Sequence, residues 1–319
     1  MDQKVLFILS MFIISAFAES ERIAGGGNAT LGQFPHHAKV EPSIGSFRRL
    51  CGGALIKYNW VITVAQCIQN ARDVIVRLGV VDRLIGPEMA IFWVRDRSHI
   101  IIHDNFNDDS VNGGGIHNDI GLIFLAEATE GLLDIKNVSV IALPPSSNFD
   151  FSNTFGVVTG FGFYEDGDDS LKSMNLRYAV MMVNPIQSCR DHHGPKFTDG
   201  NFCTNTTNGQ STCIGDEGGP FFVFDNNNDR TLVGLASTML PQCTVGHPAI
   251  FTNLVFFFDW IMENISNTPT PPTVEPPITT TAAPPDDDKR CNCVCNCFTC
   301  PKNSTEDSQP PKTNSFWDE

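Results

Sequence analysis

From Ile23 to about Asn264 the sequence is a succession of short apolar runs rich in Val, Ile and Phe, separated by clusters of Gly, Asn and Asp. Asp73 to Leu78, Ile120 to Leu125, Phe155 to Thr159 and Leu232 to Ala236 are typical. Their spacing predicts an all-β barrel or sandwich. Periodicity alone does not choose between the two. Phe256 to Ile265 is the exception and predicts a closing helix, with Trp260 and Ile261 turned onto the β domain.

Composition changes abruptly at Asn267. Thr268 to Pro285 is dominated by Thr and Pro and lacks apolar periodicity, so it cannot bury enough surface to fold. It reads as an extended, disordered stalk suited to O-glycosylation. Asp286-Asp287-Asp288-Lys289-Arg290 follows, a solvated charge run or a processing site. A dense alternation of cysteines, Cys291 to Cys300, opens the last segment.

The N-terminus carries Lys4, an apolar run from Val5 to Phe17, and a small-x-small step at Ala16-Phe17-Ala18. These features predict a secretory signal over residues 1–18, with an uncleaved anchor as the alternative. Eleven cysteines fit an oxidising, extracellular compartment. Glycosylation sequons start at Asn28, Asn137, Asn205, Asn264 and Asn303. A formal net charge of −15 argues against nucleic acid or an anionic membrane as partner.

Two frames direct the functional reading. Gly215-Asp216-Glu217-Gly218-Gly219-Pro220 resembles the Gly-Asp-Ser-Gly-Gly-Pro loop of trypsin-like proteases, with Glu217 where the nucleophilic serine would stand. Thr63-Val64-Ala65-Gln66-Cys67 resembles Thr-Ala-Ala-His-Cys, with Gln66 in place of the general base. Asn118-Asp119-Ile120-Gly121-Leu122, Arg22-Ile23-Ala24-Gly25-Gly26, Cys51-Gly52-Gly53 and Pro248-Ala249-Ile250-Phe251 occur in family order. The chain therefore resembles a secreted invertebrate, insect-like member of the chymotrypsin/trypsin serine protease family over about residues 22–265.

The resemblance implies two six-stranded antiparallel β-barrels, a cleft between them and a C-terminal helix. It divides the chain into a signal (1–18), a propeptide-like segment (19–22), a protease homology domain (23–266), the linker (267–290) and the cysteine-rich tail (291–319). It also implies the pairings Cys51–Cys67, Cys189–Cys203 and Cys213–Cys243. Five cysteines then remain, an odd number, so one tail thiol is free, capped or bridged to another molecule. Close neighbours bridge poorly, which favours an interchain disulfide through Cys291 to Cys300 over a thiolate metal site.

By the same resemblance, Arg22, Ile23 and Asp216 form an activation junction. Cleavage before Ile23 would free an amine to pair with Asp216. Ser211 stands at the pocket floor, and Ser237, Met239 and Ala249 line the slot, where Met239 and Ala249 add volume in place of glycines. A narrowed or closed pocket is expected.

The chemistry is expected to fail. Acyl transfer needs an oxygen nucleophile, an imidazole base and an orienting acid. Of these only the acid, Asp119, is retained. Gln66 has no usable pKa, and Glu217 places negative charge where the oxyanion would develop. His117 reads as a surface loop residue. His192-His193 and the His99/His103 pair offer metal-binding nitrogens, but without a complete ligand set they read as solvated or structural, so neither a metal nor a cofactor is expected.

The leading expectation is a non-catalytic, secreted protease homolog that binds extracellular proteins as adaptor, cofactor or decoy. Active serine proteases or their inhibitors are the candidate partners, and seminal fluid or haemolymph the candidate setting. A hydrolase with residual or altered activity is one alternative. An extracellular structural protein anchored through stalk and tail is the other.

Overall fold

The computed structural model describes residues 26–83, 90–163, 173–206, 210–225, 227–238 and 247–267. The signal, Arg22, Ile23, Met239, Cys243, Asn303, the stalk and the cysteine tail lie outside these residues.

The first half supplies β1 (Gly27–Asn28), β2 (His37–Ile44), β3 (Phe47–Arg48), β4 (Cys51–Lys57), β5 (Trp60–Thr63), β6 (Val74–Leu78), β7 (Ala90–Val94), β8 (Ile100–Ile102), β9 (Asn107–Asp109), β10 (Gly115–His117) and β11 (Gly121–Phe124). The second supplies β12 (Phe155–Gly160), β13 (Arg177–Met182), β14 (Asn201–Thr204), β15 (Pro220–Phe224), β16 (Arg230–Ala236) and β17 (Ala249–Asn253). Among the described residues there are three α-helices: α1 (Ala65–Ile68), α2 (Ile186–His193) and α3 (Phe258–Ser266).

The first sheet runs β7-β6-β2-β4-β5-β11-β8, with β3 hairpinned onto β2. Its two outermost strands, β7 and β8, are neighbours in the chain, separated only by a short segment with a 3-10 turn at Arg97–His99. Strands that end the sheet on opposite sides yet follow one another in the chain suit a sheet curled into a barrel, in which β7 and β8 count as one interrupted strand of six.

The second sheet runs β1-β13-β12-β15-β16-β17-β14, where β1 is an addition to the edge. Closure is made by the Val183–Thr204 bridge between the ends of β13 and β14. The Asn184 N–H donates to the Cys203 carbonyl at 2.9 Å, and the Asn205 N–H to the Met182 carbonyl at 2.8 Å. The two expected barrels are thus present.

Each barrel is filled from within. Trp60, Ile62, Leu122 and Ile123 are fully buried in the first. Phe202, Phe221 and Phe251 pack in the second, Phe202 stacked on Phe251 at 5.1 Å and Phe221 tilted against it at 4.9 Å. Such ring pairs each add about 0.5–1.5 kcal/mol beyond their burial. The disulfides Cys51–Cys67 and Cys189–Cys203 form as the resemblance implied. Cys213 is also disulfide-bonded.

The closing helix differs from its expected limits. It begins at Phe258, because Phe256 is exposed and Asn253 Oδ1 caps the preceding turn through the Val255 N–H. Ile261 and Ile265 form its buried face. Trp260 is only half-buried and leans on the His103 ring at 5.4 Å.

Candidate functional site

The barrels meet where β4 and β5 face the loop before β15. Gly52 N–H donates to the Glu217 carbonyl at 2.7 Å. A Cβ on Gly52 would stand 2.7 Å from the Gly219 backbone, so this approach needs glycine. Thr63 Oγ1 donates to the Gly52 carbonyl at 2.7 Å and fixes β5 to β4. These contacts carry Gln66, at the start of the short helix α1, to the same place as the Glu217 loop.

Asp119 lies at the base of the site, buried. Its Oδ1 accepts the Gln66 backbone N–H at 2.9 Å. Oδ2 accepts the Gln66 side-chain amide at 2.7 Å and the Ser237 hydroxyl at 2.7 Å. Thr252 Oγ1 donates to the Asp119 carbonyl at 2.8 Å. Burial pushes the Asp119 carboxyl above its ordinary range, against the pull of these donors.

Gln66 uses its whole side chain. Nε2 donates both to Asp119 and to the Ser237 carbonyl, the latter at 2.9 Å. Oε1 accepts from Arg49 at 3.3 Å. The amide thus makes the donor contact to Asp119 that an imidazole would make, without a nitrogen that can take a proton.

Glu217 is also occupied. Its Oε1 pairs with the Arg49 guanidinium at 3.1 Å, and its Oε2 accepts the Gly215 backbone N–H at 2.7 Å. The Gly215 N–H, one of the donors a developing oxyanion would use, is therefore filled by a carboxylate of the same loop. The Glu217 side chain is 7% exposed, so Arg49 stands over a nearly closed carboxylate. A free carboxylate at the cleft floor, open to a basic side chain of a partner, is not what the structure holds.

Arg49 is the site residue that sequence reasoning missed. It sits between β3 and β4, held by its N–H to the Pro42 carbonyl at 3.0 Å. The only signal is its place two residues ahead of Cys51.

Asp216 lies behind the loop. Its two oxygens accept the Gly162 N–H at 2.8 Å and the Cys213 N–H at 2.9 Å. Burial pushes its carboxyl up to about 7, opposed by these two donors. The group is a buried acid with backbone donors, and the expected amine of Ile23 lies outside the described residues.

Ser211, Ser237 and Ala249 are all buried. Ser237 belongs to the Asp119 cradle rather than to an open slot. His117 lies on β10, not in a loop, and its Nε2 contacts the Gly114 carbonyl at 2.9 Å, apart from the Gln66 network.

Among the sequon asparagines, Asn28 is exposed, with its Oδ1 accepting from Arg177. Asn205 is half-buried just beyond β14. Asn264 Nδ2 folds back on the Trp260 carbonyl at 2.8 Å. Asn137 Nδ2 is buried without a hydrogen-bond partner, so a glycan there would require its turn to move. Among the described residues no group of three His, Cys, Asp or Glu is placed to hold a metal.

Paired antiparallel barrels around a Gly-Asp-x-Gly-Gly loop, with an aspartate reached across the cleft, define the class of chymotrypsin-like folds. The family model for trypsin matches residues 23–261. The chain belongs to the trypsin family. It is 30% identical to a collagenase of Hypoderma lineatum over 275 residues, 82% of this chain and 96% of that protein. It is 29% identical to trypsin-1 of Astacus astacus, over 76% of this chain and 99% of that one, and 30% identical to brachyurin of Leptuca pugilator, over 77% and 100%. A solved Hypoderma lineatum (HL) collagenase structure superposes with a TM-score of 0.65 at 29% identity, covering 76% of this chain and 97% of that one.

Proposed function

We propose that this protein is a non-catalytic member of the trypsin family that acts by binding. The observation that carries the reading is the engagement of Glu217, with one oxygen on Arg49 and the other on the Gly215 N–H. A nucleophile must be free and an oxyanion donor open at the moment of reaction. Here a carboxylate fills both positions, and Gln66 offers no proton acceptor of suitable pKa.

The apolar run from Val5 to Phe17 and the cysteine content support secretion. The named relatives are proteases, one of them a collagenase. A cleft of that ancestry suits an adaptor, cofactor or decoy for extracellular proteins, among them active proteases and their inhibitors, in a fluid such as seminal fluid or haemolymph. The tail around Cys291 to Cys300 supplies a route to a covalent link with a partner chain.

The test is hydrolysis of peptide and ester substrates by the full chain, beside Asp119→Ala and Glu217→Ala. All three are expected at the background rate. Turnover in the wild type that either substitution abolishes would overturn the reading in favour of an altered hydrolase. In parallel, the tagged protein is captured from its native fluid under non-reducing and reducing conditions. A discrete protease or inhibitor is expected, released by thiol where the tail makes the link. Recovery of the chain alone would shift the assignment to a structural role.

A further inference from the structure

A group of imidazoles lies on the outside of the second barrel, and neither the cleft nor the proposed binding role uses it. His192 and His193 end α2, and His247 lies two residues ahead of β17. The fold, not the sequence, brings them together. The Cys189–Cys203 disulfide ties α2 to β14, and β14 pairs with β17 through Thr204 and Ala249. The Thr206 hydroxyl donates to the His247 carbonyl at 3.0 Å, so the segment carrying His247 is attached to the same frame.

His192 Nε2 and His247 Nδ1 stand 3.2 Å apart, on two exposed rings. One nitrogen donating to the other accounts for that distance. So does a shared metal. Two imidazole nitrogens about 2.0–2.1 Å from a tetrahedral cation are separated by roughly 3.3 Å, so the rings already converge at the spacing a metal requires. His193 packs edge-on against His192 at 4.8 Å and stacks on Phe197 at 6.2 Å. Its Nε2 is buried without a hydrogen-bond partner.

We propose that His192 and His247 form a two-imidazole site for a borderline divalent cation of the zinc, copper or nickel type, completed by water. The donor set decides the class of ion. Imidazole nitrogen suits zinc, copper and nickel, whereas calcium and magnesium demand oxygen ligands. A bound ion clamps the end of α2 to the segment leading to Ala249, one of the positions that would line a substrate slot.

The experiment is titration of Ni2+ into the full chain with its disulfides intact, followed by calorimetry, for the wild type, His192→Ala, His247→Ala and Asp191→Ala. The wild type is expected to take up one equivalent that both histidine variants lose or bind at least about tenfold more weakly, as loss of even an outer-shell partner commonly does. Asp191→Ala keeps that equivalent. Thermal melts in chelator verify that the variants fold, and His192→Gln replaces any variant that does not. A wild type that binds no Ni2+, or equal uptake by wild type and both histidine variants, overturns the proposal. In the latter case the ions sit elsewhere, for example on the cysteine tail.

Discussion

Arg49→Ala isolates the interaction on which the site depends. The guanidinium stands 3.1 Å from Glu217 Oε1, with side-chain exposures of 32% and 7%. At an effective dielectric near 20, that separation corresponds to a gross attraction of about 5 kcal/mol before desolvation and side-chain ordering are subtracted. Removing one partner of a fully buried pair costs about 3–5 kcal/mol, and an exposed pair is worth about 0–1 kcal/mol. This pair lies between those limits, and Glu217 keeps its bond from the Gly215 N–H. The expected loss is therefore about 2 kcal/mol. In a domain of this size that lowers the melting temperature by roughly 4–8 °C. Urea denaturation with disulfides intact reads it as a lower midpoint at unchanged m-value. The decisive control is Glu217→Gln in the Arg49→Ala background. A neutral amide still accepts from Gly215 and leaves no unpaired charge, so most of the stability returns. An Arg49→Ala protein within about 0.5 kcal/mol of wild type, or a double variant no more stable than Arg49→Ala, would refute the reasoning.

Two further outcomes follow from the same geometry. Burial raises the Asp216 carboxyl from 3.8 to about 7 in the folded state, so between those values the folded chain holds a proton that the unfolded chain has lost. Stability from this group is present at the acid end of that window and is lost as pH rises through about 7, so the wild type should lose ground against Asp216→Asn over the window and run parallel above it. A pH-independent difference between the two in urea melts would contradict the assignment. Second, Gln66→His alone and Glu217→Ser alone are both expected to remain without esterase activity, because each leaves half of the blockade in place. Only Gln66→His with Glu217→Ser and Arg49→Ala removes every obstruction, and a single replacement that restores turnover would show that the remaining groups do not block.

Much of the fold was legible because strand content follows local pattern. Val74–Leu78, Phe155–Gly160 and Arg230–Ala236 fall where the apolar runs predicted them. Barrel closure was not legible. It depends on the Val183–Thr204 bridge and on β7 and β8, successive in the chain, taking the two ends of one sheet, both consequences of sheet curvature rather than of any one strand. Gln66, Asp119 and Glu217 were found through motifs, and the structure joins Glu217 to Gln66 through Arg49 and Gln66 directly to Asp119. Arg49 was invisible because an arginine in a polar hairpin is usually a solvated residue. Its role depends on which way the Glu217 side chain turns, and no local pattern encodes that. The His192–His247 contact was hidden for a similar reason, as its partners come from elements far apart in sequence.

Along the chain, Gln66 and Glu217 are two separate departures from the family motifs. In space one guanidinium bridges them, with Arg49 on Gln66 Oε1 at 3.3 Å and on Glu217 Oε1 at 3.1 Å. A carboxylate introduced into a buried cleft already holding Asp119 and Asp216 would be costly without a cation beside it. An imidazole at position 66 would in turn meet that cation and be driven neutral while competing for the same space. An amide at 66 tolerates the guanidinium and still donates to Asp119. The three residues are therefore mutually consistent as a set and poorly consistent with any one of them reverted. That is the condition of a cleft whose polar groups are satisfied internally, and it is the condition that the proposed non-catalytic role requires.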